Sequence, residues 1–285
     1  MKVGAHVGSS GGLTTAFDRA QEIGAETIQI FGAPPQQWRR RKIRPEECEA
    51  FQAQMKATGI EPIFIHGTYL INLATETPEQ LVKSTEALTG DLNLASAIGA
   101  KGVIFHVGSH KGVGFDKVLP QMTKALTEVL KTTPDDAWII LENSAGSGGT
   151  VGSKFSELGA IMKSVGSPRL KVCLDTEHAF AAGYNLADKK ALDEAIQEFD
   201  SEAGLDRLVA VHANDSKIPL GGGVDRHDNI GDGHIGRKGF EAIMAHPAFR
   251  DVPFLLEVPG QDKSGPDKPN VDILKAIRKK VGAGS

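Results

Sequence analysis

Nine residues of this 285-residue chain have the types and order to hold metal ions: His66, His106, Glu142, Asp175, His178, His212, Asp225, His227 and Glu257. Five imidazoles and four carboxylates make a mixed nitrogen and oxygen set. Zn²⁺ suits such a mixture best, Mn²⁺ or Fe²⁺ less well, and Mg²⁺ or Ca²⁺ poorly. Nine ligands are too many for one tetrahedral ion, but they fit two or three if a carboxylate bridges. Each residue alone has a plainer reading. A lone histidine at a strand end more often hydrogen-bonds for structure, and a lone glutamate such as Glu142 can cap a helix or pair with a lysine. The set carries the argument, because clustered carboxylates without cations repel one another and are costly to desolvate. Clustered divalent cations, in turn, suit phosphoester hydrolysis.

These residues need elements that bring them together. Eight β-rich runs recur, at 3–7, 27–31, 62–66, 102–107, 138–143, 170–175, 208–214 and 254–258. Most are continuously apolar rather than alternating, the pattern of strands covered on both faces. The third run closes on His66, the fourth on His106, the fifth on Glu142, the sixth on Asp175, the seventh on His212 and the eighth on Glu257. Segments with helical periodicity lie between them, for example 13–23 and 81–98, and Gly24, Gly59 and Gly99 stand where helices should end.

Eight strands alternating with helices predict an α/β chain: a single (β/α)8 TIM barrel over 1–285, with the metal site at the C-terminal face of the strands. A doubly wound open sheet is the alternative. The run G-S-S-G-G at 8–12 lacks the dinucleotide-binding form, and no acid ends the second strand. The connection 214–239 is long, polar and rich in Gly and Asp, which suggests a functional loop. In it Asp225 and His227 lie two apart, so both face one way in an extended segment. A last helix is expected at 271–281.

Hydrophobic content of 40% and charged content of 24% are those of a soluble globular protein with a sizeable core. Two cysteines, Cys48 and Cys173, make no disulfide framework and no CxxC motif, so a reducing compartment is the default. The N-terminal residues show no signal-peptide pattern, and no apolar run reaches the ~18 residues of a membrane span. A cytoplasmic monomer is the expectation. The formal charge of −4 argues at first against a nucleic-acid partner. Three divalent cations among four carboxylates would make both the pocket and the chain net positive.

Several stretches are distinctive: G-A-H-V at 4–7, H-G-T-Y-L-I-N-L at 66–73, F-H-V-G-S-H at 105–110, L-E-N at 141–143, L-D-T-E-H-A-F-A-A-G-Y at 174–184, H-A-N-D-S-K at 212–217, V-D-R-H-D-N-I-G-D-G-H-I-G at 224–236 and L-E-V-P at 256–259. With them, in unbroken order along nearly the whole chain, the sequence resembles bacterial endonuclease IV, a family of apurinic/apyrimidinic endonucleases of base-excision repair on a xylose-isomerase-like TIM barrel. The resemblance implies three zinc ions per chain, with Mn²⁺ possible at the third site. His66, His106 and Glu142 would hold the first. Glu142 would bridge to a second, completed by Asp175, His212 and Glu257, and His178, Asp225 and His227 would hold the third. It implies cleavage of double-stranded DNA on the 5′ side of abasic sites, leaving a 3′-hydroxyl and a 5′-deoxyribose phosphate, with Glu142 also catalytic by orienting the nucleophile.

Tyr69 and Leu70 match positions that push into the duplex, and Gln36 and Trp38 match a DNA-contacting loop followed by the basic run Arg39, Arg40, Arg41 and Lys42. Gln36 departs from the family, where Arg is frequent, which removes a charged contact. Glu177 also varies among relatives and receives no role. His6 and His110 read as supporting rather than ligating residues. A metal-dependent sugar isomerase or epimerase on the same barrel is the main rival, though it needs fewer ligands. A non-catalytic binder of damaged DNA is a second, and it predicts gaps in the ligand set.

Overall fold

The structure is a computed structural model and describes residues 1–39 and 42–283. Its strands are β1 (Val3–His6), β2 (Ile28–Phe31), β3 (Ile63–His66), β4 (Gly102–His106), β5 (Trp138–Glu142), β6 (Leu170–Asp175), β7 (Leu208–His212), β8 (Asp215–Ser216), β9 (His227–Asp228) and β10 (Phe254–Leu256). The helices are α1 (Thr15–Ile23), α2 (Pro45–Thr58), α3 (Pro78–Ile98), α4 (Phe115–Thr132), α5 (Phe155–Val165), α6 (Thr176–Ala182), α7 (Lys189–Glu202), α8 (Gly236–Ala245) and α9 (Lys268–Lys280). All eight expected strands are present, trimmed by no more than two residues at an end. They pair in parallel and close in the order β1-β10-β7-β6-β5-β4-β3-β2, with β1 paired to both β10 and β2. This is a (β/α)8 TIM barrel.

Two faces of each strand are buried for different reasons. The outward faces pack under the helices; α4, for example, turns Val118, Met122, Ala125, Leu126 and Val129 inward at helical spacing. Inside the barrel, Phe64, Ile104, Ile140, Cys173, Ala210 and Leu255 form a separate apolar plug. Two residues further along each of these six chains come His66, His106, Glu142, Asp175, His212 and Glu257. Side chains alternate along a strand with period two, so the polar six point the same way as the plug, one layer nearer the C-terminal mouth. The apolar layer is the floor on which the polar layer stands.

Gly24, Gly59 and Gly99 end α1, α2 and α3 with φ of 74°, 67° and 74°, the left-handed conformation that glycine adopts without a Cβ clash. The connection 214–239 is more ordered than its composition suggests, because β8 and β9 pair in an antiparallel hairpin. The buried Asp215 carboxylate accepts hydrogen bonds from the backbone N–H groups of Gly231 (2.8 Å), Ile235 (2.9 Å) and Gly236 (3.1 Å). Among the described residues no helix is long and apolar enough to cross a membrane.

The last helix clasps the start of the barrel. Arg278 on α9 holds both oxygens of Glu26, at 2.6 and 2.9 Å, and Glu26 also accepts from the Val3 N–H at 3.0 Å. Burial works against the Glu26 charge, but these bonds prevail and draw its pKa down to about 2, from 4.5. A depressed folded-state pKa contributes stability above the unfolded value and loses it as pH falls toward the folded one. Glu26→Gln is therefore expected to cost about 1 kcal/mol at pH 7, a figure discounted because the pair is partly solvated. The difference from wild type should shrink between pH 4.5 and about 2 in urea unfolding. A pH-independent difference would mean the ion pair does not act through charge.

Candidate metal centre

Glu142 sits at the centre of the mouth, fully buried. Its Oε1 is 3.0 Å from His212 Nδ1 and 3.3 Å from His178 Nδ1, and its Oε2 is 3.4 Å from His66 Nε2 and 3.3 Å from His106 Nε2. Two groups of ligand-type atoms share it: His66 with His106, and Asp175 with His212 and Glu257, each group lying within 4.8 Å throughout. A third cluster lies alongside. Asp225 reaches His178 Nε2 at 3.3 Å through one oxygen and His227 Nε2 at 3.4 Å through the other. Asp175 Oδ2 is 3.7 Å from His227 Nε2 and so stands between the second and third clusters. The structure thus brings together all nine residues singled out in the sequence.

The hydrogen bonds around the rings decide what can sit among them. His66 Nδ1 is 2.7 Å from the Gly67 carbonyl, His178 Nδ1 2.9 Å from the Asn143 carbonyl, His212 Nε2 2.9 Å from the Gln29 amide oxygen and His227 Nδ1 3.4 Å from the Glu257 carbonyl. A carbonyl oxygen only accepts, so each of these nitrogens carries the proton. In a neutral ring the other nitrogen then offers a lone pair. In all four rings that lone pair faces carboxylate oxygens, at distances from 3.0 Å (His212 to Glu142) to 3.8 Å (His212 to Asp175). Two acceptors at that range repel unless a metal cation or a second ring proton lies between them. Ligands about 2.0–2.1 Å from a tetrahedral Zn²⁺ are themselves about 3.3 Å apart. The buried Glu142 Oε2 and His227 Nε2 have no hydrogen-bond partner, and no lysine or arginine among the described residues pairs with Glu142, Asp175, Asp225 or Glu257. The residues present fit bound divalent cations.

Electrostatics agree. Burial disfavours charge on Glu142, yet the facing rings, His106 and His212 foremost, hold its carboxyl well below the usual range. Burial likewise opposes a proton on His178, but the charge of Asp175 and bonds to Asp225 and Glu142 outweigh it and raise its pKa well above 6.5. In a cation-free pocket His66, His178 and His212 therefore hold protons more readily than a free imidazole, while burial shifts His106 the other way.

Comparison with known proteins assigns the family. The model of the xylose isomerase-like TIM barrel family matches residues 17–280. The "Probable endonuclease 4" of Halothermothrix orenii is 38% identical over 280 residues, covering 98% of this chain and 100% of the relative. That of a Geobacillus species is 40% identical over 287 residues, covering 99% and 95%. The crystal structure of endonuclease IV from Thermus thermophilus superposes with a TM-score of 0.87 at 32% identity, covering 98% and 100%. This chain belongs to the endonuclease IV family. A D-tagatose 3-epimerase-like protein also superposes, with a TM-score of 0.72 at 20% identity over 99% and 97% of the chains, a likeness of fold alone.

Beside this endonuclease IV centre lie the residues expected to meet DNA. Tyr69 is 56% exposed, and its ring centroid is 5.5 Å from that of His66 and 6.0 Å from that of His106. Leu70 is half-buried, Gln36 exposed, and Trp38 half-buried against the core. The two loops are joined, because Tyr69 N–H and the Thr68 hydroxyl both donate to the Pro35 carbonyl. Of the basic run, Arg39 and Lys42 are exposed, and Arg40 and Arg41 lie outside the described residues. A concavity of about 630 Å³ lies between Val7–Leu13 and Phe31–Pro35, flanking the candidate metal centre rather than containing it. The centre itself is open, with the His106 and Asp225 side chains 34% and 50% exposed.

The residues that aim the ligands received no role from the sequence: Asn143 and Asn214 lie within the distinctive stretches, and Gln29 lies outside them. Gln29 Nε2 donates to Glu257 Oε1 at 2.6 Å and to His6 Nδ1 at 2.9 Å, while its oxygen fixes His212. Asn214 donates to Asp175 Oδ2 at 2.7 Å and receives the Glu257 N–H at 2.9 Å. Asn143 exchanges two bonds with the Asp175 backbone, at 2.6 and 3.0 Å. The available signal was a lone buried amide closing or interrupting an apolar run. His6 accepts from Gln29, which itself donates to Glu257, and His110 receives the Gly112 and Gly114 N–H groups, so both have supporting places.

Proposed function

We propose that this chain hydrolyses the phosphodiester on the 5′ side of abasic sites in duplex DNA, leaving a 3′-hydroxyl and a 5′-deoxyribose phosphate. The observation that carries the reading is the third cluster, His178 with Asp225 and His227, beside the pair of groups sharing Glu142. A barrel isomerase works with one or two cations and four or so ligands and has no need of it.

His66, His106 and Glu142 would hold one cation, Glu142 with Asp175, His212 and Glu257 a second, and His178, Asp225 and His227 a third. Zn²⁺ fits these nitrogen-rich groups, and Mn²⁺ is the other candidate at the third. When bound, such ions neutralise phosphate charge and lower the pKa of an attacking water. The chain's own residues do the rest. Carbonyl-bound rings hold one nitrogen each toward the cluster without reorganisation. Glu142, with an oxygen on either side, keeps the first two groups in fixed relation and orients the nucleophile. Tyr69 and Leu70 would enter the duplex where a base is missing, since an abasic nucleotide lacks stacking and leaves the helix at lower cost. Gln36, Trp38 and the basic run would meet the flanking phosphates. An open centre admits a polymer, whereas a free sugar is better served by an enclosed pocket.

The test uses a duplex with one tetrahydrofuran abasic analogue, which blocks β-elimination. Cleavage on its 5′ side is expected, with two to three metal ions per chain by elemental analysis. Intact strands at full metal content would sink the reading.

A further inference from the structure

Glu177 lies between Asp175 and His178 at the start of α6 and is fully buried. Its Oε1 accepts hydrogen bonds from Ser216 Oγ and Arg226 N–H, both at 3.1 Å. The carboxylate thereby ties α6 to the hairpin segment that carries Asp225 and His227. Its other oxygen, Oε2, is buried and has no hydrogen-bond partner, and no lysine or arginine among the described residues pairs with it. A buried carboxylate oxygen left in that state is costly unless a proton or a cation meets it. One ligand atom each of Asp175, Glu177, His178 and His227 lies within 4.8 Å of the other three. His227 Nε2, in the same group, is likewise buried and without a hydrogen-bond partner. Glu177 and His227 thus each present an atom with nothing to bond, and both residues belong to that compact group beside the third cluster, which includes Asp175 and His178 but not Asp225.

We propose that Glu177 is a fourth protein ligand of the third cation, adding a carboxylate oxygen to His178, Asp225 and His227. The inference rests on the reading of that cluster as a cation site. A second carboxylate raises the negative charge around the ion and the share of hard oxygen donors. Both changes favour Mn²⁺, which takes oxygen ligands at higher coordination number, relative to a site with two imidazoles and one carboxylate. Glu177 also links the ion to the hairpin, so occupancy and hairpin position are coupled through one side chain.

Glu177→Gln isolates the claim. The amide keeps the Oε1 acceptor for Ser216 and Arg226 but replaces the second oxygen with an NH2 donor that cannot ligate. The full chain is stripped, reloaded with Zn²⁺ or Mn²⁺ alone, and followed by elemental analysis and by the electron paramagnetic resonance of free Mn²⁺. Wild type should bind Mn²⁺ at one site roughly 10-fold or more tighter than the variant, while the Zn²⁺ retained at the other sites stays the same. Equal Mn²⁺ affinity in the two proteins overturns the proposal, and means Glu177 is a protonated acid that only fastens the hairpin. Should the glutamine variant not fold, Glu177→Asp keeps the charge and shortens the reach, and the same weakening is expected; its absence again overturns the proposal. Fewer than two cations per wild-type chain would instead overturn the metal-centre reading itself, and this inference with it.

Discussion

Glu142→Gln is expected to lower single-turnover cleavage of an abasic duplex by roughly 10³-fold or more, while DNA affinity stays within a few-fold. The geometry sets both halves of that expectation. Glu142 faces four histidine rings at 3.0–3.4 Å, and its two oxygens serve two different groups of ligands. An amide has nearly the same shape, but one end becomes a donor with no lone pair, so it can serve one group only. The shared position is lost and the first two cations would no longer hold a fixed relation. The loops around Gln36, Trp38, Tyr69 and Leu70, proposed to meet DNA, share no hydrogen bond with Glu142 among the described residues, so encounter with the duplex should persist. Stability gives an independent check. In the cation-free protein the facing rings hold Glu142 ionised, so the substitution leaves their charge unpaired and the stripped variant should melt below stripped wild type. In the loaded protein the gap should widen, because the variant holds fewer cations. Turnover equal to wild type would refute the assigned place of Glu142.

Six of the nine site residues were legible because a barrel strand has a simple arithmetic. An apolar residue inside the barrel is followed two places later by another inward residue, so Ile104 points to His106 and Ile140 to Glu142. The remaining three became a set through the resemblance and through the two-residue spacing of Asp225 and His227. Gln29 was missed for a physical reason. Its partners His6, His212 and Glu257 lie 23, 183 and 228 residues away, and nothing local distinguishes a buried amide with distant partners from one at a strand edge. The order within the 214–239 connection was not legible for a similar reason, since one buried carboxylate, Asp215, holds backbone N–H groups 16 to 21 residues further on. A composition rich in Gly and Asp records the turns of such a segment but not its anchor.

Removing the cations is expected to abolish cleavage and to lower the melting temperature by about 8 °C or more. The size follows from linkage. A cation at a free concentration 1,000 times its dissociation constant adds about 4 kcal/mol to the folded state, and a chain of this size shifts roughly 2 °C per kcal/mol. The loss should be easier in acid. Protons and cations compete for the same lone pairs, because ligands must be deprotonated to bind metal. With the pKa of His178 raised well above 6.5 in the cation-free pocket, by Asp175, Asp225 and Glu142 against the opposing effect of burial, proton uptake accompanies metal release at neutral pH. Affinity therefore falls as pH falls, and the chelator concentration that removes half the metal should be lower at pH 6 than at pH 8. Re-addition of Zn²⁺ should restore both the melt and the cleavage. A chain stripped below one ion that keeps its melting temperature and still cuts the abasic duplex would show that the nine ligands serve the fold without metal.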